Sequence, residues 1–190
     1  SAITYANSPL NADDGLPGAP GPVPGAVLPE CPLTLTGAGG TRGAHLTDLL
    51  SLPALPGFTA LVFADTPAVP SEVRALGTVL AARGVPFQAV TIVAHPSGDM
   101  ATPHACDHTG RLWPMFGARA GTVYLVRPDG HVLGRWQAPS AARLTDASHR
   151  AVASPVLTHI FLSRQEHPPM TVLNRQIQLA GIPTDKLRPE

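Results

Sequence analysis

The chain has 190 residues, 44% of them hydrophobic, enough to bury one sizeable core. Its 13 basic and 13 acidic side chains cancel and are scattered along the sequence, which leaves no electrostatic footprint for nucleic acid or an anionic membrane surface. No apolar run approaches the roughly eighteen residues that span a bilayer, and Cys31 and Cys106 lie too far apart in sequence for a CxxC pair or a disulfide framework, so a soluble cytoplasmic protein with reduced thiols is expected.

Residues 1–32 are loaded with Pro and Gly, which favour turns and extended stretches over helix, so they read as an arm. The arm still carries Ile3, Tyr5, Leu10, Val23 and Val27, which are candidates to lie along a surface. Residues 33–37 alternate apolar and Thr as a half-buried strand does, with a hairpin or short strand following at Gly39 and Gly40. His45 to Leu52 repeats Leu at spacings of three and four and stops at Pro53, predicting a short amphipathic helix. Phe58 to Ala64 is a continuous apolar run of the kind buried on both faces of a sheet.

Pro70 to Gly84 has a proline at its start, Glu72 in the first turn and a glycine stop, with Val73, Leu76, Val79 and Leu80 on one stripe. With the strand-like run Phe87 to Ala94 it predicts a right-handed parallel crossover. Residues 95–106 read as a loop, and Asp107 to Gly117 as a helix only as far as Pro114 allows. Residues 121–137 are two strand-like runs joined by Pro128-Asp129-Gly130, in which proline presets the turn's first angle and glycine tolerates positive φ. Ser140 then caps a helix to Ala153. A parallel pair followed by an antiparallel hairpin and a closing helix is an α/β, thioredoxin-like plan over residues 33–155. The extension 156–190 carries Val172, Leu173, Ile177 and Leu179 as one more amphipathic helix ending near Gly181.

The run from Tyr124 through Arg127-Pro128-Asp129-Gly130-His131-Val132, with Gly134, Arg135 and Trp136, resembles the hairpin near the C-terminus of FAD-dependent aromatic-ring hydroxylases, the phenol, hydroxyphenylpropionate and aromatic polyketide hydroxylase group. Tyr5 with Ser8-Pro9-Leu10, Pro24-Gly25 with Pro29, His45 to Leu50, Phe58 to Val62, and Asp107 with Gly110 follow the same order, so the resemblance covers roughly residues 1–150. It implies a non-catalytic thioredoxin-like C-terminal module that acts in domain packing or as a homodimer contact. The partner is a domain that binds FAD, NAD(P)H and a phenolic substrate. This chain itself carries no cofactor site on that reading. A free-standing scaffold on the same fold is the alternative.

Redox thioredoxins need a low-pKa thiol where the first βα connection meets its helix, with a second two residues on. Here that loop reads Asp65-Thr66-Pro67-Ala68-Val69, with no sulfur, and Ala120-Gly121 stands where thioredoxins place a cis-proline. Cys106 is the one candidate for a peroxidatic thiol, against the plainer reading of a small inert apolar side chain. His95, His104, Cys106 and His108 are zinc-compatible donors, but the last three share a face only on a strand, which residues 95–106 do not predict. Residues 37–43, GAGGTRG, have spacing GxGxxxG and read as a hairpin turn and not as a dinucleotide cradle. Arg127, Asp129, His131 and Arg135 are candidates either for contact with a partner domain or for a salt-bridged turn.

Overall fold

The computed structural model describes residue 8, residues 11 and 12, and residues 14–154. The predicted tail helix and Ile3, Tyr5 and Leu10 of the arm lie outside the described residues. Seven strands form one mixed sheet: β1 (Pro32–Gly37), β2 (Gly40–His45), β3 (Phe58–Phe63), β4 (Phe87–Val93), β5 (His104–Cys106), β6 (Thr122–Val126) and β7 (Val132–Gln137). Their spatial order is β2-β1-β5-β4-β3-β6-β7.

Strands β3 and β4 run parallel and are bridged by helix α1 (Ser71–Ala82). Strand β6 is antiparallel to β3, β7 is antiparallel to β6, and helix α3 (Ala141–Val152) closes the unit. This sub-sheet with its two helices is the thioredoxin-like plan that the order of elements predicts. Every residue of β3 is buried, because helices cover one face of it and loops the other. Phe58, Ala60 and Val62 pack under Val73, Leu76 and Leu80 of α1 and Leu144, Ala147 and Ala151 of α3. Leu61 and Phe63 point the opposite way, onto Leu33, Ile92, Phe116 and Tyr124, as the period of two requires. The side-chain hydroxyl of Ser140 accepts the N–H of Arg143 at 3.2 Å and so starts α3 where the sequence predicts.

Three expectations need correction. His45 to Leu52 is a 3-10 helix over Leu46–Ser51 rather than an α-helix, with Leu46 and Leu49 buried at the tighter spacing of three. Residues 95–106 do not stay a loop to the end, since His104–Cys106 is β5, paired antiparallel to β1 and parallel to β4. Three residues are too few to carry a periodic signal, and tertiary pairing alone makes them a strand. Helix α2 (Leu112–Met115) runs through Pro114 instead of stopping before it. Pro114 falls in the first turn, where backbone N–H groups have no intrahelical acceptor, so its missing donor breaks no bond. The N–H groups of Arg111 and Trp113 are instead satisfied by the Asp107 carboxylate at 3.1 and 2.9 Å.

Candidate functional site

The hairpin residues singled out in the sequence come together with the arm on the outer margin of the sheet. Gly130 adopts φ 83° and its N–H donates to the Arg127 carbonyl at 3.0 Å, which closes the turn. Inside the turn Arg127 Nε donates to Asp129 Oδ1 at 3.1 Å, and Nη2 bonds to Asp129 Oδ2. His131 Nδ1 lies 3.3 Å from Asp129 Oδ1, and its backbone N–H donates to the same oxygen at 3.2 Å. Burial works to raise the pKa of Asp129, and the bonds and charge of Arg127 outweigh it, so the carboxyl sits below its ordinary value. The salt-bridged turn is thus realised, and Arg127 is only 4% exposed.

Arg135 has a different set of partners. It is 1% exposed, and its Nε and Nη2 grip both oxygens of Asp14 at 2.8 Å. Nη1 reaches the carbonyls of Ala19, Pro20 and Gly21 at 3.1 to 3.2 Å, and Nη2 reaches that of Leu16 at 3.0 Å. A planar guanidinium suits this site because its five N–H groups fan out in fixed directions, as an ammonium's cannot. The hydrogen bond from Arg135 lowers the pKa of Asp14 despite some opposing burial.

Around this anchor the arm lies along the free edge of β7. The N–H groups of Ala12 and Gly15 donate to the carbonyls of Leu133 and Arg135, Gly25 donates to Val132, and Val132 donates back to Ala26. An edge strand with unpaired backbone groups invites aggregation, and here the chain's own arm covers it. Of the apolar residues that are candidates to lie along a surface, Val27 bridges to His131 and is 42% exposed and Val23 is 39% exposed, while Ala12 and Leu28 are the buried ones. Sequence reasoning also missed Asp14. Its only signal is an acid next to glycine in a segment otherwise poor in charge.

The position of a redox site is accounted for as well. Residues 65–69 lead into α1 without sulfur, and Glu72 stands in the helix's first turn. Both cysteines are buried and free. Burial is the main cause raising the pKa of the Cys106 thiol, and the Asp107 charge adds to it. His104 shares β5 with Cys106, while His108 lies beyond it, and among the described residues no three His, Cys, Asp or Glu side chains gather for a metal. Gly37 and Gly40 pair to close the β1–β2 turn at residues 38 and 39, and Gly43 lies within β2 opposite Thr34. A dinucleotide cradle must lead from a strand into a helix N-terminus, and this turn leads into an antiparallel strand, so these residues do not fit FAD.

No family model matches the chain, and no curated protein matches it. Among solved structures, the flavin-dependent monooxygenase PieE, solved with FAD and substrate, superposes with TM-score 0.54 at 20% identity over 82% of this chain and 25% of its own. Aklavinone-11 hydroxylase, solved with FAD and aklavinone, gives 0.55 at 23% identity over 80% of this chain and 26% of its own. The fold is therefore shared with part of these two enzymes, and this chain spans about a quarter of their length. Among the described residues no helix is long and apolar enough to cross a membrane.

Proposed function

We propose that this chain is a redox-inactive, C-terminal thioredoxin-like module of an FAD-dependent aromatic-ring monooxygenase, and that it works by packing against the domain that binds FAD and the phenolic substrate or against a second copy of itself. The observation that supports this reading is the shared fold, which takes in four fifths of this chain and only a quarter of each flavoenzyme. FAD and NAD(P)H belong to the partner on this view, as does the hydroxylation itself. Two buried thiols with no disulfide suit a cytoplasmic setting.

The partner contact is assigned to the hairpin tip, where Asp129 and His131 keep part of their surface beside the exposed Val27. Arg127 supports the tip through Asp129, and Arg135 supports the arm through Asp14, so both arginines act by holding the surface that the partner meets.

The test is to purify the chain, add excess FAD, and follow flavin fluorescence together with mass by light scattering and peroxide consumption in the presence of dithiothreitol. Unquenched flavin, a single defined mass and no peroxide turnover are expected. Stoichiometric flavin binding or peroxide turnover overturns the reading.

A further inference from the structure

We infer that a notch in the sheet between β4 and the β1–β2 hairpin binds an extended peptide segment of another protein, carrying acidic and apolar side chains in alternation, as an additional short strand. The notch exists because β5 is incomplete. Strand β5 pairs with β4 only at Ile92 and Val93, which leaves the first half of β4 without a neighbour on that side. The proline at 103 explains the break. Continuing the parallel ladder would require the N–H of residue 103 to donate to the carbonyl of Ala89, and proline has none.

The direction of the free backbone groups follows from the bonds already made. The carbonyls of Pro86 and Ile92 accept N–H groups of β3 and the residue after it, so even-numbered positions of β4 face β3. The carbonyl of Val93 accepts from Asp107 on the other side, so odd positions face β5 and the notch. Ala89 therefore turns both its N–H and its C=O into a cleft of about 810 Å³. A strand edge inside a cleft pairs with extended main chain, because every second residue of the guest finds a donor and an acceptor at the spacing of its own.

The walls select among such guests. Leu35, Leu52 and Val90 supply apolar surface for one face of the peptide. Arg42 lines the rim, is exposed, and takes part in no ion pair among the described residues. The acidic wall residue Asp48 is already engaged, since it accepts the His45 N–H at 2.9 Å. Asp48 keeps its negative charge but turns an oxygen to the His45 N–H, whereas the Arg42 guanidinium has no carboxylate partner among the described residues, which favours a carboxylate on the peptide's outward face. The inference stands apart from the monooxygenase reading.

The experiment follows backbone amides of the 15N-labelled full chain by NMR, with an acetylated and amidated pentapeptide of alternating Val and Asp as probe and its Val/Lys counterpart as control. In the chain alone the Ala89 amide exchanges rapidly with solvent. The Val/Asp peptide shifts the Ala89 and Thr91 resonances and slows Ala89 exchange at least about tenfold. Arg42→Glu weakens the Val/Asp peptide about tenfold and reverses the preference toward Val/Lys. Ala89→Pro removes a donor that faces the notch and not β3, so it abolishes binding in a folded protein; should it unfold the chain, the Arg42 charge reversal still decides. Absence of shifts at Ala89 up to millimolar peptide overturns the proposal. So does an Ala89 amide already protected in the chain alone, which means that the chain or a second copy fills the notch, the two being told apart by light scattering.

Discussion

Asp14 and Arg135, 121 positions apart, form a two-pronged ion pair in which Nε and Nη2 of the arginine each donate to one carboxylate oxygen at 2.8 Å. The pair fixes the arm's register on β7, because the same guanidinium also collects four arm carbonyls. Asp14→Asn keeps the shape and removes the charge, leaving the buried arginine under-compensated. The expected cost is about 2 kcal/mol, less than the about 3–5 kcal/mol of a fully buried broken pair because Asp14 keeps some exposure. Urea denaturation measures it, and a change under about 0.5 kcal/mol refutes the anchor. Arg135→Lys should cost at least as much, since an ammonium cannot reproduce the fork.

The same pair sets a pH dependence. Asp14 and Asp129 both titrate below their ordinary value of 3.8, so the folded state binds fewer protons than the unfolded one in that range. Their stabilisation is complete above the ordinary carboxylate pKa and is lost as pH falls through the lowered values. A thermal midpoint recorded from pH 6 down to pH 2 should fall below about pH 4. Asp14→Asn should show a shallower fall from a lower starting point, and an identical slope in mutant and parent removes Asp14 from the account.

Much of the central fold was legible because its signals are local. Pro128-Asp129-Gly130 sets its own turn, Ser140 caps its own helix, and the short apolar run at Phe58 reads as a strand buried on both faces. The arm was legible as irregular, yet its docking was not, because it rests on carbonyls that any sequence offers and on one arginine over a hundred positions away. Strand β5 and the notch beside it were equally silent, since both arise from where a three-residue strand stops. At the candidate site the residues Arg127, Asp129, His131 and Arg135 were visible and a salt-bridged turn was one of the two readings, but not that Arg135 turns to Asp14 of the arm or that Arg127 also reaches Asn11.

Gly21 is where the arm passes closest to the core. It adopts φ 106°, and a Cβ there would stand 2.5 Å from the Phe116 carbonyl and 2.6 Å from the Tyr124 hydroxyl, which itself donates to that carbonyl at 2.7 Å. Gly21→Ala meets both an unfavourable backbone angle and a rigid obstacle, and should cost about 1–3 kcal/mol. Gly18→Ala shares the positive φ but meets no atom within 4 Å, so it should cost about 1 kcal/mol. Thermal melts of the two variants side by side separate the collision from the angle, and equal losses mean that the arm yields at Gly21.

The thiols offer the sharpest check on the redox-inactive reading. Burial raises the pKa of both Cys31 and Cys106, and the Asp107 charge raises each further, which disfavours the thiolate at both sites. Alkylation requires both deprotonation and access, and burial opposes both. At pH 7.5, iodoacetamide should modify the native chain at least about a hundredfold more slowly than free cysteine, with both sites becoming reactive together in denaturant. Mass spectrometry of timed samples reads the two sites separately. Modification of Cys106 in the native chain at the rate of free cysteine, with Cys31 untouched, identifies an accessible nucleophile on β5 and returns the chain to the thiol peroxidases.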